Sequence, residues 1–246
     1  MENGEKSFSR IFDILDIIAS RTEPHGARDI ARTLALPEST VYRMLKFMAR
    51  RGLVERTPGG FLLGGECLRL GGMAQEQNLL PRLAHAVLAK LADETSETVH
   101  LARMQGNHII YVDKIDGVRS IRMGSMIGLT SPLHCTGIGK AILASLPPEE
   151  LTERLPLLNL ERFTERTICD VAALARELGE IRMRGYSIDD CEHEIGVYCV
   201  ASAVCDRRGK VVAGISVTGS SLCLKPETEI LAQKVRHAAE LISAKL

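Results

Sequence analysis

The segment between residues 37 and 51 carries the side-chain types that contact DNA, in the sequence PESTVYRMLKFMARR. Lysine and arginine neutralise phosphates, and an arginine can also bind a guanine through two hydrogen bonds. Short hydroxyl side chains reach base edges or phosphate oxygens. The residues predicted to contact DNA are Glu38, Ser39, Thr40, Tyr42, Arg43, Lys46 and Arg50, joined from neighbouring elements by Arg10 and Arg56. Arg10 fits a phosphate contact and a solvated surface charge almost equally well.

The spacing of the apolar residues predicts that this segment is a helix. Val41, Leu45 and Met48 recur at i, i+4 and i+7 and therefore form one stripe. Pro37 suits the first turn of a helix, and Gly52 is able to end it. An amphipathic helix of this kind could also be a surface element with a solvated basic face, so its neighbours decide the interpretation.

The flanking residues favour a winged helix-turn-helix. Residues 27–33 have the pattern of a short helix, and Leu34-Ala35-Leu36 forms a tight connection to Pro37. Two short strands, 53–56 and 61–63, surround a glycine-rich turn and predict a β-hairpin, the wing. The whole chain has 31 Lys+Arg against 31 Asp+Glu, so the basic excess of this region is local, as phosphate binding requires.

Three other groups of residues could carry chemistry. Gly137-Ile138-Gly139-Lys140 lacks the full phosphate-binding loop, and fits better a tight entry into a helix whose first N–H groups hold a carboxylate. The run Asp189-Asp190-Cys191-Glu192-His193-Glu194 reads as an acidic surface loop, or less well as a metal site, because its spacing matches no known ligand pattern. His134 and Cys135, if they are on a strand, point to opposite faces and cannot act as a base and a nucleophile. We therefore predict no catalytic residues, no metal ligands and no cofactor.

The rest of the chain predicts an α+β domain with an antiparallel sheet. The sequence indicates strands at 97–104, 108–114, 120–126, 196–205 and 210–218, and the helical spacing recurs at 79–95, 136–146, 170–184 and after Pro226. Strands joined as hairpins with helices beside them indicate α+β rather than a doubly wound parallel sheet. The predicted divisions are residues 1–65 for DNA binding, 66–78 for a linker helix, and 79–246 for the second domain.

Composition predicts a soluble cytoplasmic protein. The 246 residues are 45% hydrophobic and 25% charged, without an apolar run long enough for a membrane span and without a signal-peptide pattern. The seven cysteines are scattered and contain no Cys-x-x-Cys pair, which argues against a disulfide framework or a structural zinc site.

From Phe8 to Leu246 the chain resembles the IclR-type transcriptional regulators. The segments that carry the resemblance are LPESTVYRMLKFMARRGLVER, RMGSMIGLTSPLHCTGIGKAILA, FTERTI, GYSIDDCEHEIGVYCVASAV and AGISVTG, in this order. The resemblance implies a winged helix-turn-helix, a linker helix and a GAF/PAS-like effector-binding domain. It also implies a homodimer or homotetramer that binds double-stranded palindromic operator DNA. The expected effector is a small organic acid, a sugar-derived acid or an aromatic acid.

Carried over by motif, the resemblance implies an effector pocket lined by Met123, Gly128, Gly137, Ile138, Asp189, Val197, Cys199, Ser216 and Thr218. The N–H groups at a helix start and the hydroxyls suit a carboxylate, and Asp189 can accept a hydrogen bond from a ligand hydroxyl. Cys191 stands where the family often has an acidic residue, and Ala203 where it often has proline. Either difference could alter the choice of ligand or bring a metal into the pocket. The alternative function, a small-molecule enzyme with a nucleic-acid-binding appendage, requires a catalytic set that the sequence does not contain.

Overall fold

A computed structural model describes residues 2–119 and 124–246, with side chains from residue 9 onward. The chain divides into two compact units, Met1–Asn78 and Leu79–Leu246. Within the described residues no helix is long and apolar enough to cross a membrane.

The N-terminal unit consists of helices and one small hairpin. Its elements are α1 (Glu2–Ala19), α2 (Ala27–Thr33), α3 (Glu38–Arg50), β1 (Val54–Thr57), β2 (Gly60–Leu63) and α4 (Gly65–Gln77). The predicted stripe of α3 is confirmed, because Val41, Leu45 and Met48 are fully buried. They pack against Ile14 and Ile18 of α1. The first helix begins at Glu2, six residues before Phe8, where the family resemblance begins.

The connection between α2 and α3 is as tight as the sequence predicts. The N–H of Leu36 donates to the carbonyl of Ala31 at 3.0 Å. Ala35 has a φ of +51°, in the left-handed region that L-residues other than glycine, asparagine and aspartate rarely adopt. This residue reverses the chain between the two helices at some cost in backbone strain.

The wing is a two-stranded antiparallel hairpin whose loop is Pro58-Gly59. Thr57 and Gly60 are the last paired residues, and Gly60 has a φ of +140°. A Cβ atom at Gly60 would lie 2.4 Å from the carbonyl oxygen of His25. Glycine is required there because the backbones of His25 and Phe61 exchange two hydrogen bonds, of 3.0 and 2.9 Å.

The C-terminal unit is an antiparallel sheet covered by helices, so the predicted α+β class is confirmed. Its elements are α5 (Leu79–Thr95), β3 (Thr98–Gln105), β4 (His108–Ile115), β5 (Thr130–Pro132), α6 (Gly137–Ala144), α7 (Pro148–Arg154), α8 (Val171–Arg184), β6 (Ser187–Asp190), β7 (Val197–Cys205), β8 (Val211–Ser220), α9 (Ser221–Leu224) and α10 (Thr228–Ser243). Six strands of the described residues form one sheet in the order β5-β4-β3-β8-β7-β6, and each neighbouring pair is antiparallel. The sequence did not reveal β5 and β6. Of the strand predicted at 120–126, residues 120–123 lie outside the described residues, and residues 124–126 form no strand.

The two faces of this sheet differ in chemistry. On one face Leu101, Val200 and Val217 pack in a core with α5 and α10. The other face carries α6 and α8, with a second core around Ile138 and Leu178. Strand residues alternate between the two faces. His100, next to Leu101, and Ser216 and Thr218, on either side of Val217, therefore point toward α6. A polar cavity therefore lies on that side.

Candidate functional site

The outer face of α3 presents the side chains that the sequence predicts for DNA contact. Glu38, Ser39, Tyr42, Arg43, Lys46 and Arg50 are exposed, and Thr40 is half-buried. The helix begins one residue after Pro37, which occupies the N-cap position. The buried stripe fixes the orientation of α3, so its basic and hydroxyl-bearing face is presented outward.

Two further predicted DNA contacts lie on other elements of the same unit. Arg56 is exposed on β1, and its guanidinium donates to the hydroxyl of Tyr42 at 3.4 Å. This contact links the wing to the exposed face of α3. Arg10 lies on α1 and is half-buried.

A cavity of about 280 Å³ lies in the C-terminal unit between the sheet and the start of α6. Seven of the nine residues predicted for an effector pocket line it: Gly137, Ile138, Asp189, Val197, Cys199, Ser216 and Thr218. Gly128 is not among the lining residues, although the next two residues are. It has a φ of +89° and its N–H donates to the carbonyl of Tyr111 at 2.8 Å, so it forms a turn. Met123 lies outside the described residues.

The start of α6 faces the cavity. The hydroxyl of Thr136 accepts the N–H of Gly139 at 3.1 Å and donates to the carbonyl of Pro132 at 2.6 Å. The first intrahelical bond runs from the N–H of Lys140 to the carbonyl of Thr136. The N–H groups of Gly137 and Ile138 precede this bond and therefore have no acceptor within the helix, an arrangement that favours an anion at this end of α6.

The two glycines of this segment allow close packing and do not form a phosphate loop. A Cβ on Gly139 would lie 2.3 Å from the carbonyl oxygen of Leu133. A Cβ on Gly137 would lie 3.2 Å from that of Ala201 and 3.3 Å from that of Cys199. The glycines therefore let the helix start directly against β7.

Asp189 is buried in the wall of the cavity. One of its carboxylate oxygens, Oδ1, accepts the N–H of Glu192 at 2.8 Å and that of His193 at 3.4 Å. Burial, followed by the nearby Glu192 carboxylate, raises the pKa of Asp189 to about 7. The interpretation of 189–194 as an acidic surface loop is wrong for Asp189 and Glu192, which are 2% and 7% exposed.

A buried ion pair joins this loop to α6. The ammonium of Lys140, which is 1% exposed, bonds Oε1 of Glu192. Glu177 lies 4.0 Å from the same ammonium and pairs with Arg184 at 2.8 Å. Burial raises the pKa of Glu192, and Lys140 opposes that shift. Among the described residues, no group bonds Oε2 of Glu192.

Hydroxyls and one imidazole form the sheet side of the cavity. Nδ1 of His100 lies 3.3 Å from the hydroxyl of Thr218 and 3.5 Å from that of Ser216, and its Nε2 lies 2.7 Å from the hydroxyl of Ser125. The Thr218 hydroxyl donates to Sγ of Cys199 at 3.1 Å. Burial lowers the pKa of His100 to about 3, so the ring is neutral and can both donate and accept.

Sequence reasoning missed several residues that line the cavity, among them His100, Tyr111, Ser125, Ser131, Thr136, His193 and Glu194. A signal was present for His100, because it alternates with Val99 and Leu101 and must face the opposite side of β3. The residues of β5 and of the turn before α6 carried no such signal.

The other predicted groups are arranged as follows. His134 and Cys135 lie in a turn and not on a strand. Burial raises the pKa of Cys135, so its thiol stays protonated, as does that of Cys199. Within residues 2–119 and 124–246 no group of three or more His, Cys, Asp or Glu side chains is placed to hold a metal ion. Cys191 adopts a φ of +60° and is half-buried.

Comparison with known protein families and structures places these features in context. A family model of the IclR helix-turn-helix domain matches residues 7–58, and a model of the bacterial transcriptional regulator IclR C-terminal domain matches residues 73–244. The chain is 35% identical over 221 residues to the HTH-type transcriptional regulator BhcR of Paracoccus denitrificans, covering 89% of this chain and 79% of BhcR.

Two further similarities extend over nearly the whole chain. The chain is 33% identical to the HTH-type transcriptional repressor AllR of Klebsiella pneumoniae over 248 residues, covering 100% of this chain and 91% of AllR. The crystal structure of Thermotoga maritima IclR superimposes with a TM-score of 0.76 at 32% identity, covering 98% of this chain and 99% of that one. The helix-turn-helix, the antiparallel sheet domain and these matches together show that the chain belongs to the IclR family of bacterial transcriptional regulators, with an N-terminal DNA-binding domain and a C-terminal effector domain.

Proposed function

We propose that this protein is a ligand-responsive repressor that binds a palindromic operator as a homodimer or homotetramer. The observation that carries the proposal is the cavity of about 280 Å³ beside the start of α6, in a chain that also presents a basic helix-turn-helix face. Residues 1–65 bind DNA, 66–78 form the linker helix, and 79–246 bind the effector and contribute to assembly. Repression is inferred from AllR, which is a repressor.

For DNA binding, α3 is the helix that enters the major groove. Ser39, Thr40 and Arg43 lie toward its start, where a recognition helix contacts bases. Lys46 and Arg50 lie farther along the helix and fit the phosphate backbone, as does Arg56 on the wing. Because bacterial DNA lies in the cytoplasm, the protein acts there.

Self-association is supported by α4. Within the described residues no side chain of this helix is buried, and Leu68, Leu70 and Met73 are 81%, 49% and 49% exposed. An isolated helix of 13 residues gains little stability by itself, so packing against a second copy would supply what the single chain lacks. A two-fold dimer would also place two copies of α3 on the two halves of a palindromic site.

For the effector, the start of α6 favours an acid. The N–H groups of Gly137 and Ile138 can hold a carboxylate, and the helix dipole adds to this attraction. Ser216, Thr218 and His100 offer donors and acceptors for polar groups on the rest of the ligand. These groups suit the binding of a ligand, and the proposal assigns none of them a catalytic role.

Selection of DNA from a random duplex library would test the proposal. The full-length protein should enrich a sequence with two-fold symmetry, and light scattering should show a dimer or tetramer both free and on that duplex. Recovery of no enriched sequence, or a stable monomer in both states, would contradict the proposal. Small organic acids should then be screened for those that raise the melting temperature and lower the affinity for the selected duplex, because a ligand that binds the native state stabilises it.

A further inference from the structure

The effector cavity places a buried carboxyl group beside the positive end of a helix. Ser187 and Asp189 are two residues apart on β6 and therefore point to the same side. The hydroxyl of Ser187 donates to the carbonyl of Gly137, in the first turn of α6, at 2.6 Å. Asp189 is also paired with Cys199, whose Cβ lies 3.3 Å from the place where a Cβ of Gly137 would be. Asp189 and the first turn of α6 thus border the same part of the cavity.

Within the part of the chain that the structure describes, the cations near Asp189 already have acidic partners and leave no free positive charge to offset a second anion. Among the described residues, Lys140 is already paired with Glu192, and Glu177 approaches it as well. Lys114, whose ammonium donates to the carbonyl of the cavity-lining Ser125, is paired with Asp116 at 2.8 Å. The described titratable groups that surround Asp189 come from six elements: Lys140 from α6, Glu192, His193 and Glu194 from the loop after β6, Cys199 from β7, His100 from β3, Tyr111 from β4 and Cys135 from the turn before α6. Burial lowers the pKa of both His100 and His193, so the two imidazoles favour the neutral state.

We propose that the cavity binds a monocarboxylate together with one proton, and that Asp189 carries this proton. The inference rests on the proposed function and specifies how its effector site is regulated. An ionised Asp189 would repel a carboxylate held at the start of α6, because Asp189 is buried and lines the same cavity as Gly137 and Ile138. A protonated Asp189 removes the repulsion and gains an O–H group that can donate to the ligand.

In the ligand-free protein, the hydrogen bonds of Asp189 are compatible with protonation of its carboxyl group. Both peptide N–H groups bonded to Asp189 point at Oδ1, so the carboxyl can take up a proton without losing them. Burial raises the pKa of Asp189 to about 7, so near neutral pH the protonated form is well populated. As the pH rises above 7 this form becomes scarce, and a ligand that requires it binds more weakly.

Titration calorimetry with acetate and with benzoate on the full-length protein would test the proposal. Both acids are ionised at pH 6.0 and at pH 8.5. A change in affinity between these pH values therefore reflects the titration of a group in the protein and not of the ligand. If the anion binds the protonated carboxyl alone, affinity should fall about 30-fold between these two pH values. In addition, the binding enthalpy at pH 8.5 should vary with the ionisation enthalpy of the buffer, because close to one proton is taken up.

Two variants test whether Asp189 is the group that takes up the proton. Asp189→Asn keeps an oxygen for the N–H of Glu192 and imitates the neutral carboxyl, so its affinity should be nearly the same at both pH values and its proton uptake should vanish. Glu194→Gln removes the other carboxylate that lines the cavity, which is exposed, and should keep the wild-type pH dependence.

The outcomes separate this inference from the proposed function. Binding by the wild type that does not vary with pH, or an Asp189→Asn variant that keeps the pH dependence, would overturn proton coupling and leave the effector site intact. Failure of both acids to bind at either pH would overturn the inference and also the assignment of a carboxylate to the start of α6. Selection of a symmetric operator would be unaffected in each case.

Discussion

Replacing Lys140 by methionine should destabilise the C-terminal unit by about 3–5 kcal/mol, the range found when one partner of a buried ion pair is removed. Lys140 is 1% exposed and the side chain of Glu192 is 9% exposed, so water cannot take over the role of the lost cation. Oε2 of Glu192 already lacks a partner among the described residues. The loss of Lys140 should affect the carboxylate of Glu177 less than that of Glu192, because Arg184 still pairs with Glu177 at 2.8 Å.

The loss of stability in the Lys140→Met variant should depend on pH, and the ionisation of Glu192 determines the sign of this dependence. Burial raises the pKa of this carboxyl and Lys140 counteracts the shift, so removing Lys140 should raise the folded-state pKa further. A carboxyl whose pKa is higher in the folded than in the unfolded state destabilises the fold increasingly as pH rises above the unfolded value. The variant should therefore be closer to the wild type at pH 5 than at pH 8.

Urea unfolding followed by tyrosine fluorescence measures this effect. The chain has no tryptophan and four tyrosines, of which Tyr111, Tyr186 and Tyr198 belong to the C-terminal unit. The matched control is the double variant Lys140→Met with Glu192→Leu, in which neither member of this ion pair remains as a charge without its partner. Its stability should return to within about 1–2 kcal/mol of the wild type. A single variant as stable as the wild type, or a double variant no better than the single one, would refute the reasoning.

Four variants test further predictions for the N-terminal unit. Arg43→Ala should lower affinity for the selected operator by about 1–3 kcal/mol, measured by fluorescence anisotropy, whereas Lys46→Ala should weaken binding to all duplexes alike and reduce the salt slope by about 1. Unchanged operator affinity of the Arg43 variant would contradict the assignment. Ala35→Gly should raise the stability of this unit by up to about 1 kcal/mol because it relieves the φ of +51°, and a lower melting temperature would count against this. Gly60→Ala should cost about 1–3 kcal/mol in thermal unfolding, since its Cβ would meet the carbonyl of His25, and an unchanged melting temperature would contradict the close approach.

The parts of the fold that sequence predicts well are those set by local patterns. The stripe of Val41, Leu45 and Met48 repeats at the helical period, and a glycine-rich turn between two short apolar runs specifies the wing. Strand β6 escaped prediction because its sequence, SIDD, has no apolar alternation. It is an edge strand, and its buried Ser187 bonds the carbonyl of Gly137 in α6, which is distant in sequence.

The cavity was predictable in part. Motif similarity placed seven of nine residues along its wall, but it did not indicate His100, whose role follows from the alternation of β3. The pairing of Lys140 with Glu192 joins residues 52 positions apart and has no signature in either neighbourhood. Such contacts depend on the three-dimensional arrangement of the helices over the sheet, which composition and periodicity do not specify.

The segment FTERTI contributed to the family resemblance without an assigned role, and the structure supplies a physical one. The hydroxyl of Thr164 donates to the carbonyl of Cys191 at 2.7 Å, and that of Thr167 donates to the carbonyl of Glu192 at 2.6 Å. On the cavity side of the same loop, the carboxylate of Asp189 accepts a hydrogen bond from the N–H of Glu192. The loop is thus fixed by backbone contacts from two sides, which keeps the Glu192 carboxylate in place against Lys140. Because neither threonine lines the cavity, a substitution at either should alter effector affinity through the position of this loop and not through a direct contact with the ligand.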